Sequence, residues 1–214
     1  MSPQLAALAV HDLKNALGSL EGELLALEAH PDAAAARSAR LHCEELRRDT
    51  VAFLTLYRGE ALRAVVDDES PLSLMQAVAE SAHDRAVADA PHIELVGAES
   101  APPYWYLDIR LVRLALDAAL HNALRYARKV VTLSAFERDG WLVLRIDDDG
   151  PGLAATAGRP GTWSTGLGTE LCQAVAQAHT SAGRQGRAEL LDRPDSSQGQ
   201  DPSSPGARFE LILP

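Results

Sequence analysis

Val10-His11-Asp12-Leu13-Lys14-Asn15 stands near the start of a long amphipathic segment. An imidazole followed at once by a carboxylate, with an amide one helical turn further on, is a nucleophile displayed on a helix surface. Outward from it, Val10, Leu13, Leu17, Leu20, Leu24 and Leu27 recur at steps of three and four, a heptad seam that predicts a helix from about Pro3 to Glu28. His11 lies one position off that seam, and Asn15 shares its exposed face. His30-Pro31-Asp32 breaks the helix and offers Asp32 as an N-cap. A second helix is expected from about Ala33 to Arg63, with Ala39, Cys43, Leu46, Thr50, Phe53 and Tyr57 as its seam. Two helices with one seam each bury little as an isolated hairpin, so two copies should associate into a four-helix bundle, making the protein a homodimer.

Val66-Asp67-Asp68-Glu69-Ser70-Pro71 ends the helical pattern and divides the chain into 1–65, the hairpin, and 66–214, a domain of another kind. There, helices are expected over Leu72 to Ala88, Asp108 to Ala127 and from Thr165-Gly166-Leu167-Gly168 to about His179. Strands are expected at Ile93 to Val96, at Val130 to Phe136 and Trp141 to Ile146 around an Asp139-Gly140 turn, and near Arg187 to Leu191 and Arg208 to Leu213. Asp195 to Gly206 is rich in Ser, Gln, Gly and Pro and reads as a loop. Helices and strands mixed without a βαβ rhythm predict an α+β fold: a helical hairpin followed by a sandwich with its helices on one face of the sheet.

With 46% apolar and 23% charged residues the composition is that of a water-soluble globular protein, and no apolar run is long enough to span a bilayer. Met1-Ser2-Pro3-Gln4 lacks the features of a secretory signal, so a cytoplasmic location is expected. A net charge of −10 argues against nucleic acid as a partner. Cys43 and Cys172 have no metal-ligand spacing and read as buried small side chains.

Four stretches follow in order: His11-Asp12-Leu13-Lys14-Asn15, His121-Asn122-Ala123-Leu124-Arg125-Tyr126, Asp148-Asp149-Gly150-Pro151-Gly152 and Gly166-Leu167-Gly168. Together they resemble the H, N, G1 and G2 boxes of two-component sensor histidine kinases, a resemblance that covers nearly the whole chain. It implies a dimerisation and histidine phosphotransfer hairpin followed by an ATP-binding domain of the Bergerat type. It implies that His11 accepts the γ-phosphoryl group of ATP and passes it to an Asp of a response regulator. Asp12 would orient the ring and take its proton, and Asn15 matches a position that can orient water for dephosphorylating the regulator. Asn122 would hold Mg²⁺ through its carbonyl oxygen, Arg125 would reach a phosphate and Tyr126 would line the nucleotide pocket. Asp148 would accept a hydrogen bond from the adenine amino group, with Gly150 and Gly152 letting the backbone pass close to the base. Thr165, Gly166, Leu167 and Gly168 would offer backbone amides to phosphates at a helix N-terminus. Asp147 and Asp149 read as solvent-facing, and Lys14 as a residue of the solvated face.

The sequence also departs from that pattern. Ala118 stands where the family often has a second asparagine, and Ala16 where a proline often follows. The segment Leu153 to Thr165 is short for a lid, with Trp163 its only aromatic. A histidine phosphotransferase of similar fold that has lost nucleotide binding, or a regulatory module that captures a kinase or a regulator, is therefore a competing reading. Almost nothing precedes His11, so the chain is expected to lack a sensory segment, and the sequence leaves open whether it is a fragment.

Overall fold

A computed structural model describes residues 3–57, 62–83, 90–153, 166–193 and 206–214. By its contacts the chain divides into two compact units, Met1–Leu62 with Gly161–Leu171, and Arg63–Pro160 with Cys172–Pro214.

The first unit is built on α1 (Pro3–Ala29) and α2 (Ala33–Tyr57). Asp32 caps α2 as its sequence position predicts, its carboxylate accepting the Ala35 N–H at 2.7 Å. Within one chain α1 buries only part of its leucine seam. Ala9, Ala16 and Leu20 are buried, together with Ala39 and Ala52 of α2, whereas Val10, Leu17 and Leu24 remain about half exposed. Alanine lets the two backbones approach and takes the inner positions, which displaces the larger side chains to the flank. On α2, Cys43 and Tyr57 are likewise exposed rather than interior. One polar pair bridges the hairpin, His42 Nδ1 to Glu23 Oε1 at 3.0 Å.

In the second unit a ribbon of β1 (Asp67–Glu69) and β3 (Trp105–Leu107) accompanies a five-stranded sheet. The sheet is formed by β2 (His92–Leu95), β4 (Val130–Arg138), β5 (Trp141–Asp148), β8 (Arg187–Asp192) and β9 (Ala207–Leu213), in the order β2-β4-β5-β9-β8. Among the described strands only β2 and β4 run parallel. Asp139 (φ 53°) and Gly140 (φ 71°) make the two-residue turn between β4 and β5, where both central residues must be left-handed. That turn sets the register that pairs Arg138 with Trp141 and Val131 with Asp148.

One face of the sheet is apolar. Leu133, Ala135, Leu142, Leu144, Ile146, Leu211 and Leu213 are buried there, and α3 (Pro71–His83) and α4 (Ile109–Tyr126) pack on β4 and β5. Val112, Ala115, Leu116, Ala119 and Leu120 repeat at helical spacing on the buried side of α4. Burial of each such leucine stabilises the fold by roughly 1.5–3 kcal/mol. α5 (Leu167–Ala178) adds Cys172, whose thiol donates to the Ala115 carbonyl. Burial pushes that thiol up to about 12.

The opposite face pairs charges across strands. Glu210, 3% exposed, receives Arg138 and Arg145 at 2.8 and 2.7 Å, and Asp147 receives Arg208 through two bonds of 2.8 Å. A short hairpin of β6 (Thr180–Ser181) and β7 (Arg184–Gln185) follows α5.

Asp108 joins several segments. Its carboxylate caps α4 by accepting the N–H groups of Arg110 and Leu111 at 3.1 and 3.2 Å, and it also accepts the Val65 N–H at 3.0 Å. Its own N–H donates to His179 Nε2 at 3.0 Å, while His179 Nδ1 donates to the Val175 carbonyl at 2.8 Å. Burial lowers the affinity of His179 for a proton, so the ring sits there as the neutral Nδ1–H tautomer.

Candidate functional site

β5 ends by alternating its acids between the two faces, with Asp147 on the charged side and Asp148 on the side of the helices. Asp148 is 6% exposed. Its Oδ1 accepts the Gly150 N–H at 2.7 Å and the Ala207 N–H at 3.2 Å. Both bonds fall on one oxygen, so Oδ2 retains the capacity for a donor from outside. Burial raises the Asp148 carboxyl above the ordinary carboxylate range, and the two backbone N–H groups offset only part of that rise.

Gly150 has no room for a side chain. A Cβ there would lie 2.6 Å from the Tyr126 carbonyl oxygen and 2.7 Å from Asp148 Oδ1. The turn therefore lies flat against the C-terminal end of α4 and brings Tyr126, Asp148 and Gly150 together. Gly152 follows at φ 79° and is buried.

Asp147 is not the solvent-facing residue that an acidic turn suggests, and Asp149, though partly exposed, is held by backbone donors. Asp147 is 9% exposed and bound to Arg208. Asp149 accepts the N–H groups of Arg128 at 2.7 Å and Lys129 at 3.0 Å, which ties the turn to the start of β4. Burial acts to raise the Asp149 carboxyl, but these backbone donors outweigh it and leave it below the usual range.

Two residues of this cluster escape a reading of the sequence. Gly206 (φ 55°) donates its N–H to the Gly150 carbonyl at 3.0 Å, and a Cβ on it would meet the Asp148 carbonyl oxygen at 2.2 Å. Ala207 supplies the second donor to Asp148. They follow a stretch of loop composition, and the available signal is a glycine placed directly before an alternating strand.

On α4, Asn122 and Arg125 are exposed and Tyr126 is half-buried, with the Arg125 guanidinium 5.8 Å from the Tyr126 ring centroid. Asn122 offers an exposed carbonyl donor one turn before Tyr126. Among the described residues no cluster of three or more His, Cys, Asp and Glu is placed to hold a metal ion.

The remaining residues belong to the first unit. Gly166 (φ 72°) is exposed, Leu167 is buried and Gly168 is half-buried in the first turn of α5. Thr165 and most of the short lid segment lie outside the described residues. On α1, His11 and Asn15 are exposed and Asp12 is half-buried. Among the described residues no helix is long and apolar enough to cross a membrane.

Residues 107–214 match the profile of the histidine kinase-, DNA gyrase B- and HSP90-like ATPases. Among solved structures, the histidine kinase AdeS of Acinetobacter baumannii superposes with a TM-score of 0.64 at 22% identity, over 95% of this chain and 96% of that one. Full-length ShkA in complex with AMPPNP gives 0.61 at 21% identity, covering 100% of this chain and 46% of that one. The catalytic domain of the histidine kinase ThkA gives 0.52 at 14% identity, over 70% of this chain and 95% of that one. At these identities the likeness is one of fold. No curated protein sequence matches the chain.

Proposed function

Because the chain belongs to the family of histidine kinase-, DNA gyrase B- and HSP90-like ATPases, we propose that it is an ATP-dependent protein-histidine kinase whose phospho-acceptor is His11. In this reading 1–65 is the dimerisation and phosphotransfer hairpin and 66–214 the catalytic domain. The observation that carries it is the joining, in one chain, of an ATPase-family domain to a helical hairpin that exposes His11 and Asn15, one turn apart, with Asp12 beside the histidine.

The residues present suit ATP and Mg²⁺. Asp148 Oδ2 accepts the adenine amino group, with the carboxylate fixed by Gly150 and Ala207. Tyr126 and the bare backbone of Gly150 and Gly152 border the base. Arg125 reaches phosphate, Thr165, Gly166, Leu167 and Gly168 offer amides to phosphate, and Asn122 holds Mg²⁺ through its carbonyl oxygen. Bound ATP supplies the transferable phosphoryl group, and Mg²⁺ neutralises its charge. The imidazole of His11 receives that group while Asp12 holds the ring and takes its proton. An aspartate of a response regulator receiver domain is the next acceptor, and Asn15 orients water for hydrolysis of the resulting phosphoaspartate, which releases inorganic phosphate and restores the carboxylate. A second copy covers the half-exposed Val10, Leu17 and Leu24, which repeat every seventh residue along one side of α1.

The test is incubation with Mg²⁺ and ATP labelled at the γ-phosphate, alongside His11→Gln and Asp148→Asn. Acid-labile label on the wild type and on neither variant is the expected result. Absence of label together with absence of ATP binding by calorimetry would replace the kinase with a phosphotransfer protein fed by a phosphorylated regulator.

A further inference from the structure

A cleft of about 690 Å³ lies where the β1–β3 ribbon meets the ends of β4 and β9, and it shares no residue with the Asp148 turn. Its volume falls within the range of sites for small organic molecules. Pro102, Pro103, Tyr104, Trp105 and Tyr106 line it, so its surface is largely aromatic and apolar. Tyr104 and Tyr106 are 58% and 63% exposed, and Val66, which also lines the cleft, 49%. Apolar surface gathered in this way marks a place where something binds.

The charges around the cleft select the kind of ligand. No Lys or Arg is among its described lining residues. His179 reaches its wall but carries no positive charge, since its Nε2 accepts the Asp108 N–H and its Nδ1 donates to Val175. The Trp105 indole N–H is already committed to the Pro214 carbonyl at 3.0 Å, so it does not offer itself to an anion. The one carboxylate side chain is Glu137, exposed at the end of β4 and without an ion pair among the described residues. Aromatic faces carry negative potential at their centres and attract cations, and a nearby carboxylate adds to that attraction.

We propose that this cleft is a binding site for an organic cation with an apolar body, of the alkylammonium class, whose charge lies toward Glu137 and whose body lies against Tyr104 and Tyr106. Nothing in this assignment depends on the kinase reading.

The probe is phenyltrimethylammonium, titrated into the full chain by ligand-observed NMR, with tert-butylbenzene as the neutral isostere and benzenesulfonate as the anion. The expected result is saturable binding of the cation in preference to both. Tyr106→Ala should weaken it between about two- and thirtyfold, the span of one cation–aromatic contact, and Glu137→Gln by up to about fivefold, the worth of an exposed ion pair. Both side chains are exposed, and Glu137→Gln is nearly isosteric, so the comparison holds even where Tyr106→Ala perturbs the ribbon. Asp148→Asn should leave the affinity unchanged. Equal binding of the neutral isostere, indifference to both cleft substitutions, absence of saturation, or loss of binding in Asp148→Asn would each overturn the assignment.

Discussion

Asp148→Asn separates recognition from stability, because both internal bonds to the carboxylate fall on Oδ1. The amide oxygen of asparagine can take over that position and keep the Gly150 and Ala207 donors. The change then falls on the other atom, where an acceptor becomes an NH₂ group. In the proposed complex this sets a donor against the adenine amino group. Loss of one hydrogen bond to a charged acceptor costs about 1.5–3 kcal/mol, roughly ten- to 150-fold in Kd. Stability should move the other way or not at all. The native carboxyl is raised by burial above its unfolded value, so between the two values the native state binds more protons than the unfolded one. Stability therefore falls as pH rises through that window, and the ionised group is a net burden at neutral pH. Asparagine removes that burden. The assay is calorimetric titration of Mg·ADP beside urea unfolding of both proteins at pH 7. An affinity within about threefold of wild type would refute the role of Oδ2, and a stability loss above about 3 kcal/mol would refute the assignment of both internal bonds to one oxygen.

Gly150→Ala should do what Asp148→Asn does not. Its Cβ cannot be placed without moving the Tyr126 carbonyl or the Asp148 carboxylate, so urea unfolding should show a loss of about 1–3 kcal/mol together with weakened nucleotide binding. In α1, a Cβ on Gly18 meets nothing within 4 Å, so Gly18→Ala should raise stability by about 0.5–1 kcal/mol in the same assay, and a loss would show that a second chain occupies that space. Glu210 titrates in the opposite sense to Asp148. Burial acts to raise it, but hydrogen bonds from Arg138 and Arg145 leave it below its unfolded value, so the stability it contributes is present above that unfolded value and fades as pH falls through the native one. The acid limb of a stability–pH profile should therefore flatten in Glu210→Gln, and an unchanged limb would remove the three-residue cluster from the account.

Elements whose cause is local were legible in the sequence. Asp139-Gly140 specified its turn because both residues tolerate positive φ, and Asp32 specified its cap because a carboxylate before a helix has amides to accept. Causes distant in the chain were not legible. The three acids Asp147, Asp148 and Asp149 look alike in sequence, but the alternation of a strand sends the first to Arg208, the second beneath the turn and the third to the amides of Arg128 and Lys129. The β1 strand was hidden because Asp67-Asp68-Glu69 has poor strand propensity, and its partner Trp105–Leu107 lies far along the chain. Which face closes within one hairpin was less legible, because leucines dominate a hydrophobic pattern while alanines settle which positions come closest.

Asp108 is a pivot as well as a cap. It grips the Val65 amide, where the chain has just left the hairpin, and it fixes the N-terminal end of the helix that carries Asn122. At 1.5 Å per residue Asn122 lies about 21 Å along that helix, so a tilt of about 3° at Asp108 sweeps it through about 1 Å. For the Mg²⁺-holding role proposed for Asn122, a misplacement of that size would cost roughly a hundredfold in rate. Leverage of this kind needs no large motion, and a strain too small to break the Val65 bond is enough to detune the far end of the helix.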